Sequence, residues 1–134
     1  MFSTFFIDGM DQLKSYQQIV QMLERDDHNI TWASFSLISY FDADRKMHFK
    51  EGEITDDLLL KQLQMELISL RKSELLFTST SIGELKVIIS DKIDFVIRPV
   101  FHQHLNRYKD LLYINDDLLI MTDTMSDFLE KLRK

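Results

Sequence analysis

Apolar residues recur at two spacings along this chain, and each spacing predicts a different kind of element. Alternation between residues 31 and 41 predicts a strand, followed by a turn at 42–45 and a return strand that points Met47 and Phe49 inward. A first strand is predicted at residues 2–7. Five later segments also read as strands: 74–81, 84–90, 93–100, 111–115 and 118–122.

Helical spacing predicts two helices in the first half of the chain. The first is capped by Asp8, and its apolar residues are Leu13, Tyr16, Ile19, Val20 and Leu23. The second runs from Thr55 to Lys72, and Thr55, Asp56 and Asp57 supply a cap and negative charge at its start. A leucine stripe marks its buried face: Leu60, Leu63, Leu67 and Leu70. A stripe this wide is typical of a core face, and a dimer seam is the alternative.

Two more helices are predicted towards the C-terminus. Pro99 suits the first turn of a helix, because the N–H that it lacks would have no partner there. The apolar residues that follow it at helical spacing are Phe101, Leu105, Tyr108 and Leu112. The last helix spans 124–133, with Thr124 and Asp127 at the spacing of a capping box.

The order of elements predicts the fold class. Short turns between successive strands favour antiparallel pairing, and amphipathic helices need a sheet face to cover. The sequence therefore predicts an α+β fold with a mostly antiparallel sheet covered by helices on one side. At 134 residues the chain fits one domain, 1–134.

Charge and composition narrow the function classes. The chain has 22 acidic and 16 basic side chains and a net charge of −6, the reverse of a phosphate-backbone binder, so we expect no direct nucleic-acid partner. It has no cysteine, which excludes disulfides and thiolate sites. No apolar run approaches the roughly 18 residues of a membrane span, and no basic segment marks a signal peptide. We expect a cytoplasmic protein without a membrane partner.

Motifs of cofactor and hydrolase sites are missing. The three glycines do not form the spacing of a P-loop or of a dinucleotide-binding loop, in which backbone N–H groups approach phosphate closely. The G-x-S-x-G turn that exposes a nucleophilic serine is also absent. The sequence therefore predicts no cofactor.

The histidine pair in RPVFHQHLNRY, residues 98–108, is the segment that most resembles a chemical site. On a helix, the side chains of His102 and His104 point about 200° apart and cannot share a metal ion. On a strand they face the same side, and a metal pair becomes possible. The helical spacing favours two structural histidines and predicts no metal site.

Carboxylates stand close together in several predicted turns. Local hydrogen bonds explain Asp and Glu at such positions, and the same positions keep these side chains in solvent, where they can meet cationic groups. The candidates for binding a basic partner are Asp42, Asp44, Glu51, Glu53, Asp116 and Asp117.

The C-terminal segment 110–133, DLLYINDDLLIMTDTMSDFLEKLR, consists of a strand pair around an acidic turn and then a closing amphipathic helix. In this it resembles the C-terminal end of SUKH-type immunity proteins, bacterial α+β proteins that neutralise polymorphic toxins. The resemblance implies an inhibitor that binds a toxin.

These observations favour a small acidic cytoplasmic protein without catalytic activity that blocks a basic protein partner, as an inhibitor or immunity protein does. One alternative is a small enzyme or ligand-binding domain with an acid–base site around His102 and His104. The other is a structural subunit that forms a homodimer through the leucine-rich helix.

Overall fold

The computed structural model describes residues 15–25, 28–74, 81–102 and 104–134. Within these ranges the strands are β1 (Ile30–Phe41), β2 (Met47–Ile54), β3 (Arg71–Lys72), β4 (Glu84–Ile89), β5 (Ile93–His102), β6 (Arg107–Ile114) and β7 (Asp117–Ile120). The helices of the same ranges are α1 (Tyr16–Leu23), α2 (Asp57–Leu67) and α3 (Asp123–Arg133).

All seven described strands belong to one sheet, in the order β2-β1-β4-β5-β6-β7-β3. Each pair of neighbours is antiparallel. Side chains from the sheet and from all three described helices form one hydrophobic cluster. The predicted class, α+β with a mostly antiparallel sheet covered by helices, is confirmed.

The leucine stripe lies in this cluster, as predicted, although its last member, Leu70, follows the end of α2. Leu63 and Leu67 are fully buried, and Leu60 and Leu70 are also buried. On the same helix, Leu58 is 78% exposed. The stripe therefore packs inside the chain and contributes to its stability through the burial of apolar surface.

The helices begin at other residues than the sequence predicts. Ser15, not Asp8, caps the helix that carries Ile19 and Leu23, because its side chain accepts a hydrogen bond from the Gln18 N–H. Asp8 and the predicted strand 2–7 lie outside the described residues, as does Leu13. Capping choices are local and degenerate: several polar residues near a helix start can each satisfy the free N–H groups.

Two further boundaries differ for the same reason. Helix α2 begins at Asp57 rather than Thr55, with Asp56, one of the residues predicted to supply the cap, as its N-cap, and the cap of α3 is Thr122 rather than Thr124. The predicted C-terminal turn of α2 is also wrong, since Arg71 and Lys72 leave the helix and pair with β7. Of the predicted strand 74–81, residues 75–80 lie outside the described residues.

The helix predicted from Pro99 is wrong. Strand β5 continues through Pro99 to His102, and after a tight reversal β6 returns so that Phe101 stands opposite Tyr108, with ring centroids 4.9 Å apart. The ladder is irregular between Pro99 and Phe101, and proline is tolerated at such irregularities because it has no N–H to pair. Asn106, with φ of 52°, supports the reversal.

The inward orientation predicted for Met47 and Phe49 is also wrong. Both side chains lie on β2, the first strand of the described sheet order, and are 46% and 43% exposed. Alternation along β2 is present, but Met47 and Phe49 lie on its exposed side. Only the even-numbered positions His48, Gly52 and Ile54 are sheltered.

A buried arginine joins the end of α3 to the sheet. Arg133 is 5% exposed. Its Nε donates to the Ile38 carbonyl oxygen at 2.8 Å and its Nη2 to that of Ser39 at 3.0 Å. Its Nη1 donates to the Asn106 carbonyl oxygen at 3.2 Å and to Glu130 Oε1 at 3.0 Å. The guanidinium therefore ties α3, β1 and the β5–β6 turn together.

Tyr108 completes this junction. Its hydroxyl accepts a hydrogen bond from the Ile38 N–H at 2.9 Å and donates one to the Ile82 carbonyl at 2.7 Å. Burial raises the pKa of Tyr108 above its usual value of 10.0. Gly83, with φ of 88°, allows this approach, since a Cβ there would lie 2.7 Å from the tyrosine oxygen.

We predict that Leu63→Ala or Leu67→Ala lowers the free energy of unfolding by about 2–5 kcal/mol, because each leaves a cavity at a fully buried site. Leu58→Ala, on the exposed side of the same helix, should change it by less than about 0.5 kcal/mol. Urea denaturation measures both. Equal losses for Leu58 and Leu63 variants would contradict the core assignment.

We further predict that Arg133→Ala lowers the free energy of unfolding by about 3–5 kcal/mol, because buried carbonyl groups and Glu130 lose their partner. Lys131→Ala, an exposed change in the same helical turn, serves as the matched control and should have little effect. Chemical denaturation of the two variants side by side tests this. A small loss for Arg133→Ala would show that the junction does not hold the fold.

Candidate protein-binding site

Six polar residues from three neighbouring strands share one surface, which we name the acidic sheet face. Strand pairing creates it, because residues opposite each other in an antiparallel pair project to the same side. One row across β2, β1 and β4 is Glu51, Ser36 and Glu84, and the next row is Glu53, Ser34 and Lys86.

The centre of the acidic sheet face is recessed. Neighbouring strands lie about 4.8 Å apart, so the backbones of Glu51 and Glu84 are separated by about 9–10 Å, with the short side chain of Ser36 between them. The resulting depression measures ≈ 510 Å³, and Gly52 and Phe35 complete its lining. A Cβ on Gly52 would lie 2.7 Å from Phe35 Cζ, so glycine lets the ring pack onto β2.

The charge of this surface is negative. Three carboxylates and one ammonium group give it a net charge of −2, counted over the charged residues that line the depression. All four charged side chains are exposed, and no ion pair joins them to one another in the part of the chain that the structure describes. Their field therefore reaches into solvent, over about one Debye length of 8–10 Å.

The six carboxylates predicted to bind a partner are not all in one place. Glu51 and Glu53 lie in the acidic sheet face. Asp44 and Asp116 are exposed in two separate hairpin turns, β1–β2 and β6–β7. Asp117 contacts other parts of the chain: its Oδ2 accepts a hydrogen bond from the Tyr16 N–H at 2.8 Å, and its Oδ1 lies 3.8 Å from Lys72 Nζ.

Glu84 belongs to the site although sequence reasoning did not select it. The segment that contains it alternates polar and apolar residues, which predicts that Glu84 faces away from the core. Its neighbours across β1 lie more than 30 positions earlier in the chain. Alternation indicates on which side of the strand Glu84 lies, whereas its neighbours on that side follow only from strand pairing.

Asp42 belongs to a separate unit at the tip of the first hairpin. Its Oδ2 lies 2.8 Å from His48 Nε2, and its Oδ1 accepts hydrogen bonds from the N–H groups of Asp44 and Lys46. The His48 ring stacks on Tyr40 with a centroid separation of 4.5 Å. The hydrogen bond from His48 is the main reason that the pKa of Asp42 lies below its ordinary value of 3.8, and the Lys46 N–H lowers it further.

The two histidines of the β5–β6 hairpin lie close together, contrary to the prediction that their side chains point apart. The rings of His102 and His104 meet edge to face, with centroids 5.9 Å apart. His102 Nδ1 accepts a hydrogen bond from the Leu105 N–H at 3.3 Å, and His104 borders a depression of ≈ 570 Å³ beside Arg45. Among the described residues, no three His, Asp or Glu side chains are grouped so as to hold a metal ion.

Comparisons with known proteins assign no family to this chain. A scan against protein-family models found no match, and searches of curated proteins and of solved structures found none either. Within the described ranges, no helix combines the length and the apolar character needed to cross a membrane.

The Asp42–His48 contact yields a prediction about pH. Because the pKa of Asp42 is lowered in the fold, its contribution to stability is present above pH 3.8 and is lost as the pH falls through the folded-state value. We expect His48→Ala to move the pKa of Asp42 back towards 3.8. A carboxyl-carbon NMR titration measures the shift, and His102→Ala serves as a control. An unchanged Asp42 pKa in His48→Ala would contradict the assigned cause.

Proposed function

We propose that this protein is a binding protein that covers a basic surface of a protein partner with its acidic sheet face and thereby inhibits that partner. The single observation that carries the proposal is the convergence of Glu51, Glu53 and Glu84 on one exposed surface. The net charge of −6 supports the proposal, because the molecule as a whole also attracts a basic partner.

The shape of this surface suits long cationic side chains. The short side chain of Ser36 stands between Glu51 and Glu84, so an arginine or lysine side chain has room to enter the depression between these two glutamates. Arginine in particular forms paired hydrogen bonds with carboxylates. Exposed charges outside the contact accelerate association, whereas a charged contact that loses its water contributes to slow dissociation.

The inhibitory role rests on a separate argument. The segment 110–133, which spans most of β6, β7 and α3, resembles the C-terminal end of SUKH-type immunity proteins. This segment lies outside the acidic sheet face, so the resemblance concerns the scaffold. A toxin whose active surface is cationic would be blocked by a carboxylate-lined face that occupies it. We therefore propose an inhibitor of the immunity type, acting in the cytoplasm.

The double change Glu51→Lys with Glu53→Lys tests the proposal. The protein and the double variant are used as baits in extracts of the source cell, and proteins that only the unchanged bait retains are identified and purified. We expect a basic protein whose affinity falls by at least about tenfold in the double variant, because two attractive charges become repulsive. The affinity of the unchanged protein should also weaken between low and high salt.

The matched control carries the same change in charge elsewhere. Glu24→Lys with Asp127→Lys alters two exposed positions, the C-cap of α1 and a residue of α3, and should leave the affinity within about twofold. A third variant, Asp44→Lys with Asp116→Lys, tests the exposed turns. If it weakens binding and the Glu51 and Glu53 variant does not, the turns form the binding site. An affinity indifferent to all three variants and to salt would remove acidity from the mechanism.

A further inference from the structure

In the sheet formed by the described residues, strand β2 is an edge strand. Among the strands of the described residues it pairs with β1 alone, and it stands first in the strand order. The strand has eight residues, Met47–Ile54. Alternate residues of such an edge direct their N–H and C=O groups outward, where another strand can bind them.

One row of side chains along this edge contains apolar and acidic residues. Positions 47, 49, 51 and 53 project to the same side, since alternate residues of a strand do. All four are exposed, and they are Met47, Phe49, Glu51 and Glu53. The row is therefore apolar at the end next to the hairpin turn and acidic at the other end, where it forms part of the acidic sheet face.

A second copy of this chain is a poor occupant of the edge. In an antiparallel pair related by a two-fold axis, opposite residues share a face, so the residue on the axis meets its own copy. With Lys50 or Glu51 on the axis, two like charges stand directly opposite each other. With Gly52 on the axis, Glu51 stands opposite Glu53. Like charges in opposite positions are destabilising, so these three registers, which include the two with the greatest overlap, are disfavoured.

We infer that the occupant of this edge is an extended segment of the partner protein, which adds to β2 as a further strand. The segment carries basic residues at two alternate positions, beside Glu51 and Glu53. It carries apolar residues at the next two alternate positions, beside Phe49 and Met47. This inference rests on the proposed function and specifies the chemistry of the partner.

Complementarity supports this occupant over an apolar or an acidic strand. Main-chain hydrogen bonds to an edge are sequence-independent, whereas the alternate side chains decide which segment binds. A wholly apolar segment would leave the carboxylates of Glu51 and Glu53 without partners at the contact, and an acidic one would be repelled. A basic and apolar segment satisfies both ends of the row.

Synthetic peptides test this directly. The octapeptides KTKTVTVT and VTVTKTKT, acetylated and amidated, place two lysines and two valines in one row, for antiparallel and parallel addition respectively. Threonine fills the other row because it favours extended structure. NMR titration of the isotope-labelled full chain with each peptide gives the affinity and maps the amide shifts, which we expect on β2.

N-methylation of the better-binding peptide separates strand addition from simple charge attraction. One derivative is methylated on the threonine amides, and the other on the lysine and valine amides. Only one of these sets faces β2 in an added strand, so we expect one derivative to lose at least about tenfold in affinity and the other to stay within about twofold. The change is made in the peptide, so the fold of the protein is not disturbed.

Further controls define the remaining outcomes. Replacing the lysines of the peptide by glutamates should abolish the binding, and Glu51→Lys with Glu53→Lys should weaken it. Equal affinity of both methylated derivatives, absence of binding at millimolar peptide, or amide shifts centred away from β2 would each overturn strand addition. Self-association of the chain through β2 in sedimentation experiments would assign the edge to a second copy. A separate result would contradict the proposed function: an identified partner that binds the Glu51→Lys, Glu53→Lys variant with the same affinity as the unchanged protein.

Discussion

In β1 the ladder to β2 slips between Ile38 and Tyr40, and the carbonyl oxygens of Ile38 and Ser39 accept hydrogen bonds from the buried guanidinium of Arg133. Such irregularities leave polar groups that the ladder does not pair, and an unpaired buried polar group is costly. One side chain at the end of α3 satisfies two of these groups and also binds Asn106 in the β5–β6 turn. Helix α3, strand β1 and the β5–β6 hairpin are thereby fixed relative to one another.

The acidic sheet face depends on this junction. Tyr108, beneath the Arg133 guanidinium, binds the Ile38 N–H and the Ile82 carbonyl, which places the start of β4 against β1. Glu84 begins β4 directly after Gly83, where there is no room for a Cβ. Carboxylates held on paired strands lose less conformational freedom on binding than carboxylates on mobile turns. This preorganisation is the physical reason for which we propose the sheet surface, rather than the hairpin turns, as the binding site for a basic partner.

The candidate site could be predicted from the sequence only in part. Turn chemistry drew attention to six carboxylates, and two of them, Glu51 and Glu53, lie in the acidic sheet face. Asp42 and Asp117 instead serve contacts within the chain, with His48 and with the start of α1. The membership of Glu84 could not be predicted, because a carboxylate pair that is close in space is here distant in sequence. A local pattern carries no information about which strands become neighbours.

The sequence by itself determined the elements whose periodicity has one interpretation: the leucine stripe of α2, the closing helix α3 and the alternating strands, and with them the α+β class. Only the tertiary structure decided the rest. The spacing of Phe101 and Tyr108 fits a helix as well as a hairpin, and pairing with β6 selects the hairpin. Alternation in β2 defines two sides, and the strand order decides that Met47 and Phe49 face solvent. The physical reason is that periodicity reports the local backbone geometry, whereas burial and neighbourhood depend on contacts between segments far apart in the chain.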